Sequence, residues 1–182
     1  MSATAPPLSR PPGYPRRYEE RVWLADGRSV FVRPVVPGDA AELGFEIEQA
    51  DPETLHSRFF RSSIRVDDEL LTYLTVLDYD RRFALAAFAE SGVAIARYEG
   101  TPGSDVAEMA VAVTPQWRRV GLASVLLSRL QDAARANGIR TLRADFLAEN
   151  EAARGLINRA GFGAPVYELG VASVENDLTK QR

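Results

Sequence analysis

Apolar and polar residues alternate along the chain with the two-residue period of β-strands in some segments and with the period of helices in others. Near the N-terminus, Asp26-Gly27 separates two apolar runs within residues 22–32, which is typical of a β-hairpin. Three further short apolar runs, at residues 83–89, 93–98 and 106–113, predict a meander of antiparallel strands.

Other segments have helical spacing and recognisable ends. Residues 122–136 carry an apolar stripe that stops at Asn137-Gly138, which is typical of a helix C-terminus. A strand over residues 142–146 follows, and a helix is predicted from Asn150 to Gly161. The remaining predicted elements are a helix that starts at Asp39 with Glu42 as a second capping acid, a helix over residues 67–77, and short strands near residues 164–168 and 171–175.

This order of elements predicts one α/β domain with a mixed, mostly antiparallel central sheet, about four flanking helices and an N-terminal hairpin. The 182 residues, 46% of them apolar, are enough for one core and too few for two ordinary domains. The strand, helix, strand order from 106 to 147 implies one right-handed crossover. We expect a disordered, proline-rich tail at residues 1–20, the domain at residues 21–175 and a C-terminal tail at residues 176–182.

The composition of the chain argues against some classes of partner and some kinds of site. The net charge of −3 gives no electrostatic reason to expect a nucleic acid partner. The chain has no apolar run of about 18 residues and no apolar signal-peptide core near its start, so we expect no membrane partner and a cytoplasmic location. It has no cysteine and only one histidine, His56, so we expect no metal site.

The segment between the predicted strand at 106–113 and the predicted helix at 122–136 carries candidate chemistry. A strand that turns into a helix directs unpaired N–H groups and the positive end of the helix dipole outward, which suits a phosphate. Gly121 and Ala123 leave room for a pyrophosphate near the backbone, and Arg118 and Arg119 add charge at the rim. An ordinary turn with a packing glycine is the alternative explanation.

The run Arg118-Arg119-Val120-Gly121-Leu122-Ala123 resembles the acetyl-CoA signature of the GCN5-related N-acetyltransferases (GNATs), which is Arg or Gln, two residues, Gly, one residue, and Gly or Ala. That superfamily also has an Asn at the start of the next helix, an Ala three residues later and a Gly-Phe at the helix end. Asn150, Ala153 and Gly161-Phe162 match these positions. The spacing therefore agrees throughout this half of the chain.

Further motifs narrow the resemblance to the bacterial protein-lysine acetyltransferases that modify acyl-CoA synthetases. With the early segment from Arg33-Pro34 to Asp39, the resemblance covers about residues 22–175. Because only about twenty residues precede the hairpin, we expect no fused regulatory domain. The motifs are Ser57-Arg58-Phe59-Phe60, Asp78-Tyr79-Asp80 with Phe83-Ala84-Leu85, and Ala107-Glu108-Met109-Ala110.

The resemblance implies a role for several residues. Glu108 would accept a proton from the attacking amine, often through water, because a lysine amine has a pKa of about 10.4 and must be neutral to react. We expect partial burial of Glu108, which would make it a stronger base. A backbone N–H near Ala112 would stabilise the developing oxyanion. The expected cofactor-binding residues are Val111, Ala112, Val113, Arg118, Arg119, Val120, Gly121, Leu122, Ala123, Ser124, Asn150 and Arg154.

One position departs from the superfamily pattern. Many members have a tyrosine seven residues after the helix-starting Asn, where it protonates the leaving thiolate, and this chain has Ile157 there. A thiol pKa of about 8.5 lets the coenzyme A thiolate leave without a dedicated acid. Asn150 has an alternative role as the cap of its helix, and the two roles can coexist.

The resemblance implies transfer of an acetyl group from acetyl-CoA to a protein lysine, such as one of an acyl-CoA synthetase. Two alternatives stay open. The acceptor is a small amine, such as a polyamine, an amino acid or an aminoglycoside; or the chain is a non-catalytic acyl-CoA-binding module. Ile157 leaves room for the second alternative and Glu108 argues against it. The sequence does not define the oligomeric state.

Overall fold

The computed structural model describes residues 9–50 and 65–180, and an eight-stranded sheet runs through them. The strands are β1 (Glu20–Trp23), β2 (Ser29–Pro34), β3 (Arg82–Phe88), β4 (Gly92–Gly100), β5 (Val106–Val113), β6 (Thr141–Leu147), β7 (Val166–Glu168) and β8 (Val171–Asp177). Their order across the sheet is β1-β2-β3-β4-β5-β6-β8-β7. Within this sheet β5 and β6 pair in parallel, and the other neighbours are antiparallel. The predicted mixed, mostly antiparallel sheet with an N-terminal hairpin is confirmed.

Four α-helices accompany the sheet in the described residues: α1 (Ala40–Gln49), α2 (Asp68–Thr75), α3 (Leu122–Ala136) and α4 (Glu151–Arg159). The predicted ends of the second and third helices have the expected physical basis. Asp67 caps α2 by accepting a hydrogen bond from the Leu70 N–H at 3.0 Å, and Gly138 follows α3 with a φ of +74°. None of these helices is long and apolar enough to cross a membrane.

Strand alternation divides the core between the two faces of the sheet. On one face, α3 buries its leucines against β3, β4 and β5, and Ile157 of α4 joins the same core. Burial of each leucine contributes about 1.5–3 kcal/mol. On the other face, a smaller cluster around Phe88 and Ile95 packs against Leu43 of α1. Ala107 of β5 belongs to the first face and Ala112 to the second, so β5 contributes side chains to both.

The predicted disordered tail does not hold for residues 9–20. Tyr14 packs edge-on against Tyr79 at 5.7 Å between ring centroids, and Tyr18 packs against Phe83 in the same way at 5.1 Å. Two aromatic rings among the prolines bury enough apolar surface to fix this stretch on the core. The predicted C-terminal tail is likewise too long, because β8 continues to Asp177 and Leu178 is buried.

The predicted capping acids of α1 have other roles. Asp39 is buried and binds both terminal nitrogens of Arg33, at 2.6 and 2.8 Å, and it also accepts a hydrogen bond from the Val36 N–H at 2.8 Å. A buried guanidinium needs a paired carboxylate more than a helix end needs a cap, so Asp39 turns away from α1. Glu42 accepts a hydrogen bond from the Gly92 N–H of β4.

Candidate active site

The parallel pair β5 and β6 opens along its length. Both strands are described in full, and their registered partners are Val106 with Thr141, Ala107 with Leu142 and Glu108 with Arg143. Beyond that point β5 remains paired with β4, as far as Val113 opposite Ala94, and β6 remains paired with β8. Alternate residues of β5, Met109, Val111 and Val113, therefore present their backbone N–H and C=O groups to a cleft between the two strands. The Thr114 N–H bonds the Val93 carbonyl of β4 at 3.0 Å, so by the same alternation the N–H of Ala112 faces β4, and the predicted donor near Ala112 is a neighbouring residue.

The turn from β5 into α3 lies at the end of this cleft. Arg119 and Gly121 both have positive φ angles, of +63° and +89°. Gly121 precedes α3 and supplies no side-chain cap, so the N–H groups of the first helical turn point outward at the positive end of the helix dipole. A Cβ added at Gly121 would meet no atom within 4 Å. The space in front of this backbone is open, and the site fits a pyrophosphate.

The arginines of the predicted signature differ in what they contact. Arg118 and Arg119 are both exposed, as a position at the rim requires. The Nε of Arg118 donates a hydrogen bond to the Val113 carbonyl at 3.1 Å, so this side chain also closes the turn onto the end of β5. Leu122 is buried in the core, which leaves only its backbone for a cofactor, whereas Ser124 is exposed.

The start of α4 forms the other side of the cleft. Asn150 follows β6 closely, and its N–H bonds the Leu147 carbonyl at 2.8 Å. Its side-chain oxygen accepts a hydrogen bond from the Ala153 N–H at 2.9 Å, so the capping role of Asn150 is confirmed. Arg154 is exposed and pairs with Glu151 at 3.0 Å. The N-termini of α3 and α4 thus follow the ends of β5 and β6, at the open end of the cleft.

Glu108 is the last residue of β5 that is paired with β6, and its side chain lies on the face of the sheet opposite α3. Its side chain is exposed, so the expected partial burial is wrong. The physical reason is its place on the sheet, because Arg143 beside it on β6 and Asp145 further along the same face are exposed too. A general base at this position is open to water and to an amine substrate that approaches from this face.

A second carboxylate, Glu99, lies directly opposite Glu108 on β4 and is already engaged. It accepts hydrogen bonds from the Tyr73 hydroxyl and from Arg97 at 3.4 Å. Arg97 is buried beside it, and this burial lowers the pKa of Arg97 while Tyr73 and Glu99 act in the opposite direction. Glu99 is therefore part of a structural network, and the two neighbouring glutamates have different surroundings.

A groove of about 360 Å³ lies between α1 and the nearby ends of β3, β4 and β5. Its walls are mostly apolar, and Ala112 connects it to the strand that borders the cleft. Two carboxylates of α1 also line it, Glu42 and Glu46. Burial raises the pKa of Glu46, and the charge of Glu42 raises it further. The groove suits a long apolar chain that ends in a cation.

The family motifs outside the cleft have structural roles where the structure describes them. The Asp78 carboxylate accepts hydrogen bonds from the N–H groups of Asp80 and Arg82, at 2.9 and 2.8 Å, and Tyr79 is buried with its hydroxyl on the Val35 carbonyl. His56 and the Ser57-Arg58-Phe59-Phe60 motif lie outside the described residues. Ile157 is buried in the core, so its position supplies no proton donor.

The β1–β2 hairpin contacts the phosphate turn, and this contact was not predicted from the sequence. Arg28 lies over the ring of Trp117, with 4.0 Å between the guanidinium carbon and the ring centroid. The only local signal was an arginine beside Asp26-Gly27 in a hairpin, which is common.

Among residues 9–50 and 65–180, no cluster of three or more histidine, aspartate or glutamate side chains could hold a metal ion.

Comparison with known proteins identifies the class. The Acetyltransferase (GNAT) family matches residues 44–162, and the chain belongs to this family. It is 33% identical to the acetyltransferase PA5475 of Pseudomonas aeruginosa over 144 residues, which are 76% of this chain and 77% of that protein. It is 30% identical to the acetyltransferase Pat of Mycolicibacterium smegmatis over 163 residues, or 86% of this chain, but it spans only about half (48%) of that relative.

Solved structures agree with this assignment. The GNAT domain of PAT from S. lividans superposes with a TM-score of 0.83 and 31% identity, over 90% of this chain and 99% of that one. The yncA acetyltransferase of Salmonella typhimurium, solved with acetyl-CoA as its cofactor, shares the fold, with a TM-score of 0.66 and 22% identity over 84% of this chain and 96% of that one. The protein is an N-acetyltransferase, and acetyl-CoA is the acyl donor that this fold uses.

Proposed function

We propose that the protein acetylates a lysine side chain of another protein, with Glu108 as the general base. The observation that carries this proposal is the place of Glu108 at the closed end of the β5–β6 cleft, exposed on the face opposite α3. There the carboxylate accepts a proton from the approaching amine, directly or through a water molecule. A protein acceptor is supported by the motifs that this sequence shares with the protein-lysine acetyltransferases and by the two relatives named Pat.

The cleft has the parts that acetyl-CoA needs. When bound, this cosubstrate supplies an activated acetyl thioester. The N–H groups of Leu122, Ala123 and Ser124 at the start of α3 bind its pyrophosphate, and Gly121 keeps that approach open. The remaining assigned residues are Val111 and Val113 on the free edge of β5, Ala112 between them, Val120 in the turn, and Arg118, Arg119, Asn150 and Arg154 around the rim.

Each residue near the reacting atoms has a different role in the acetyl transfer. Glu108 removes the proton of the lysine nitrogen as that nitrogen bonds to the acetyl carbon and the carbon–sulfur bond breaks. The N–H of Val111, next to Ala112 and on the cleft side of β5, stabilises the negative charge that develops on the acetyl oxygen. The thiolate leaves without a protein acid, because a thiol pKa of about 8.5 makes it a good leaving group and Ile157 offers no proton.

The groove under α1 suits a lysine acceptor. Its apolar walls match the methylene stem of a lysine, and Glu42 and Glu46 attract the ammonium group before it loses its proton. Ala112 borders this groove and also belongs to the strand whose free edge faces the cleft. An acceptor in the groove therefore lies beside the strand that carries Glu108 and Ala112.

The test combines binding and turnover. Acetyl-CoA binding is measured by calorimetry, and thiol release and intact-mass change are measured with candidate acyl-CoA synthetases, polyamines and aminoglycosides as acceptors. The proposal expects saturable binding and an added acetyl group on a synthetase lysine. Faster thiol release with a small amine, together with no change in protein mass, would show that the acceptor is a small amine and not a protein lysine. Binding without turnover on any acceptor would contradict the catalytic role.

A further inference from the structure

The tip of the β1–β2 hairpin packs on the outside of the turn between β5 and α3. Three separate contacts join them. The Arg28 guanidinium lies over the Trp117 ring, 4.0 Å from its centroid, and its Nη2 donates a hydrogen bond to the Gln116 carbonyl at 3.1 Å. The Ala25 N–H reaches the Val120 carbonyl at 3.4 Å. The hairpin therefore contacts the turn at both ends.

Arg28 is itself held in place from the hairpin side. Its Nε bonds the Asp26 carboxylate at 2.6 Å, and its own N–H bonds the same carboxylate at 3.1 Å. The planar guanidinium thus contacts a carboxylate, a carbonyl and an aromatic ring at once. A lysine ammonium cannot reproduce this arrangement, because it lacks the plane that stacks on a ring and the fork of donors.

The turn is a segment that needs outside support. Arg119 has a positive φ although it is not a glycine, which is an uncommon conformation for a residue with a side chain. Trp117 and Val120 are only partly buried against the core. Such a conformation persists only where surrounding contacts hold it, and the hairpin tip contacts the turn on both sides of Arg119 in the sequence, at Gln116 and at Val120.

We propose that Arg28 is a positioning residue, which holds the turn at 116–121 in the conformation that binds the pyrophosphate by stacking on Trp117 and bonding to the Gln116 carbonyl. This rests on the proposed placement of acetyl-CoA at the turn. Arg28 sets the affinity for the nucleotide half of the coenzyme and does not act on the acetyl group. A misplaced phosphate turn weakens binding, whereas Glu108 lies where β5 is still paired with both β4 and β6, and keeps its geometry.

The test compares Arg28→Ala with two acyl donors. With acetyl-CoA, the KM should rise about 10-fold while kcat stays within about twofold, because the turn positions the donor and leaves the chemistry unchanged. With acetyl-pantetheine, which lacks the pyrophosphate and the nucleotide, the KM should not change. Arg28→Lys should recover only part of the acetyl-CoA affinity. In Arg28→Ala with Trp117→Ala the two losses should not add, because the residues act as one unit.

Arg129→Ala is the matched control. Arg129 of α3 pairs with Glu20 of β1, at 2.5 and 3.2 Å, so it also fastens the hairpin to the domain but at a distance from the turn. Its replacement should leave the KM for acetyl-CoA unchanged. An equal rise in KM for Arg129→Ala would show that any loosening of the hairpin is sufficient, and would overturn the specific role of Arg28.

Three other results would overturn the proposal. They are an unchanged acetyl-CoA affinity in a folded Arg28→Ala variant, an equal loss with acetyl-pantetheine, and an Arg28→Ala penalty that disappears with 3′-dephospho-acetyl-CoA, which would indicate a direct phosphate contact. Gly121→Val, titrated with acetyl-CoA in parallel, distinguishes an error in the assigned coenzyme site from an error in the role of Arg28. If it binds acetyl-CoA normally, the assigned site is wrong; if it loses binding while Arg28→Ala does not, only the role of Arg28 is wrong.

Discussion

Glu108 and Arg143 are the last registered partners of the parallel strands β5 and β6, and the two strands separate immediately after them. This places an exposed carboxylate at the closed end of the cleft, where the two strands begin to separate. The same separation frees the edge of β5 near Ala112. The proton acceptor and the backbone donor at Val111 thus come from one strand, three residues apart.

Gly121→Val should abolish acetyl-CoA binding. A β-branched side chain is strained at a φ of +89°, and it would occupy the open space in front of the α3 N-terminus. Calorimetric titration with acetyl-CoA measures the loss. The strain alone should lower the free energy of unfolding by about 1–3 kcal/mol.

Gly138→Val controls for that strain. Gly138 has a φ of +74°, an added Cβ there also meets no atom within 4 Å, and it lies at the opposite end of α3. The two variants should lose similar stability, and only Gly121→Val should lose the coenzyme. Equal loss of binding in both would mean that the effect comes from α3 as a whole.

Glu46→Gln should stabilise the fold at neutral pH and weaken binding of a lysine acceptor. The pKa of Glu46 is raised in the folded state, so ionisation of this carboxyl opposes folding increasingly as the pH rises above its unfolded pKa, and fully once the pH exceeds its folded pKa. The gain in thermal stability should therefore be present at pH 7 and should vanish below about pH 4, where the carboxyl is protonated in both states. The KM for the protein acceptor should rise, and that for acetyl-CoA should stay constant.

Glu48→Gln is the companion measurement for Glu46. Glu48 is an exposed glutamate two residues further along α1 and does not line the groove. Its replacement should change neither the pH dependence of stability nor the acceptor KM. A rise in acceptor KM for both variants would indicate a general charge effect of α1 on the acceptor rather than recognition in the groove.

Asp39→Ala should destabilise the domain by about 3–5 kcal/mol, since it leaves the Arg33 guanidinium buried and unpaired. Urea unfolding followed by circular dichroism measures the change. Glu175→Ala, which breaks the exposed pair with Arg143, should have little effect by the same measurement. Comparable losses would show that Asp39 does not have the role assigned to it here.

The sequence predicts those parts of the fold that depend on local patterns. The bounds of α3 follow from its apolar stripe and its terminal Asn137-Gly138, and both ends agree with the structure. The hairpin follows from Asp26-Gly27. Long-range contacts decided the rest: Tyr14 and Tyr18 look like parts of a proline-rich tail until the rings that receive them are known.

The site shows the same division. The phosphate turn was predictable because its glycine and arginines are consecutive in sequence. The exposure of Glu108 was not, because it depends on which residues share its face on β4 and β6. The stacking of Arg28 on Trp117 joins residues far apart in the chain, and no local pattern indicates such a contact.

The most direct test of the account is the pH dependence of kcat for Glu108→Gln, with acetyl-CoA affinity measured on the same samples. The account predicts a kcat lower by about 10²–10⁴-fold at neutral pH, nearly unchanged coenzyme affinity, and partial recovery as the pH rises and more lysine is already neutral. Glu99→Gln, one strand away on the same face, should keep kcat within about twofold. A Glu108→Gln enzyme that keeps full kcat from about pH 6 to 9 would remove Glu108 from the mechanism.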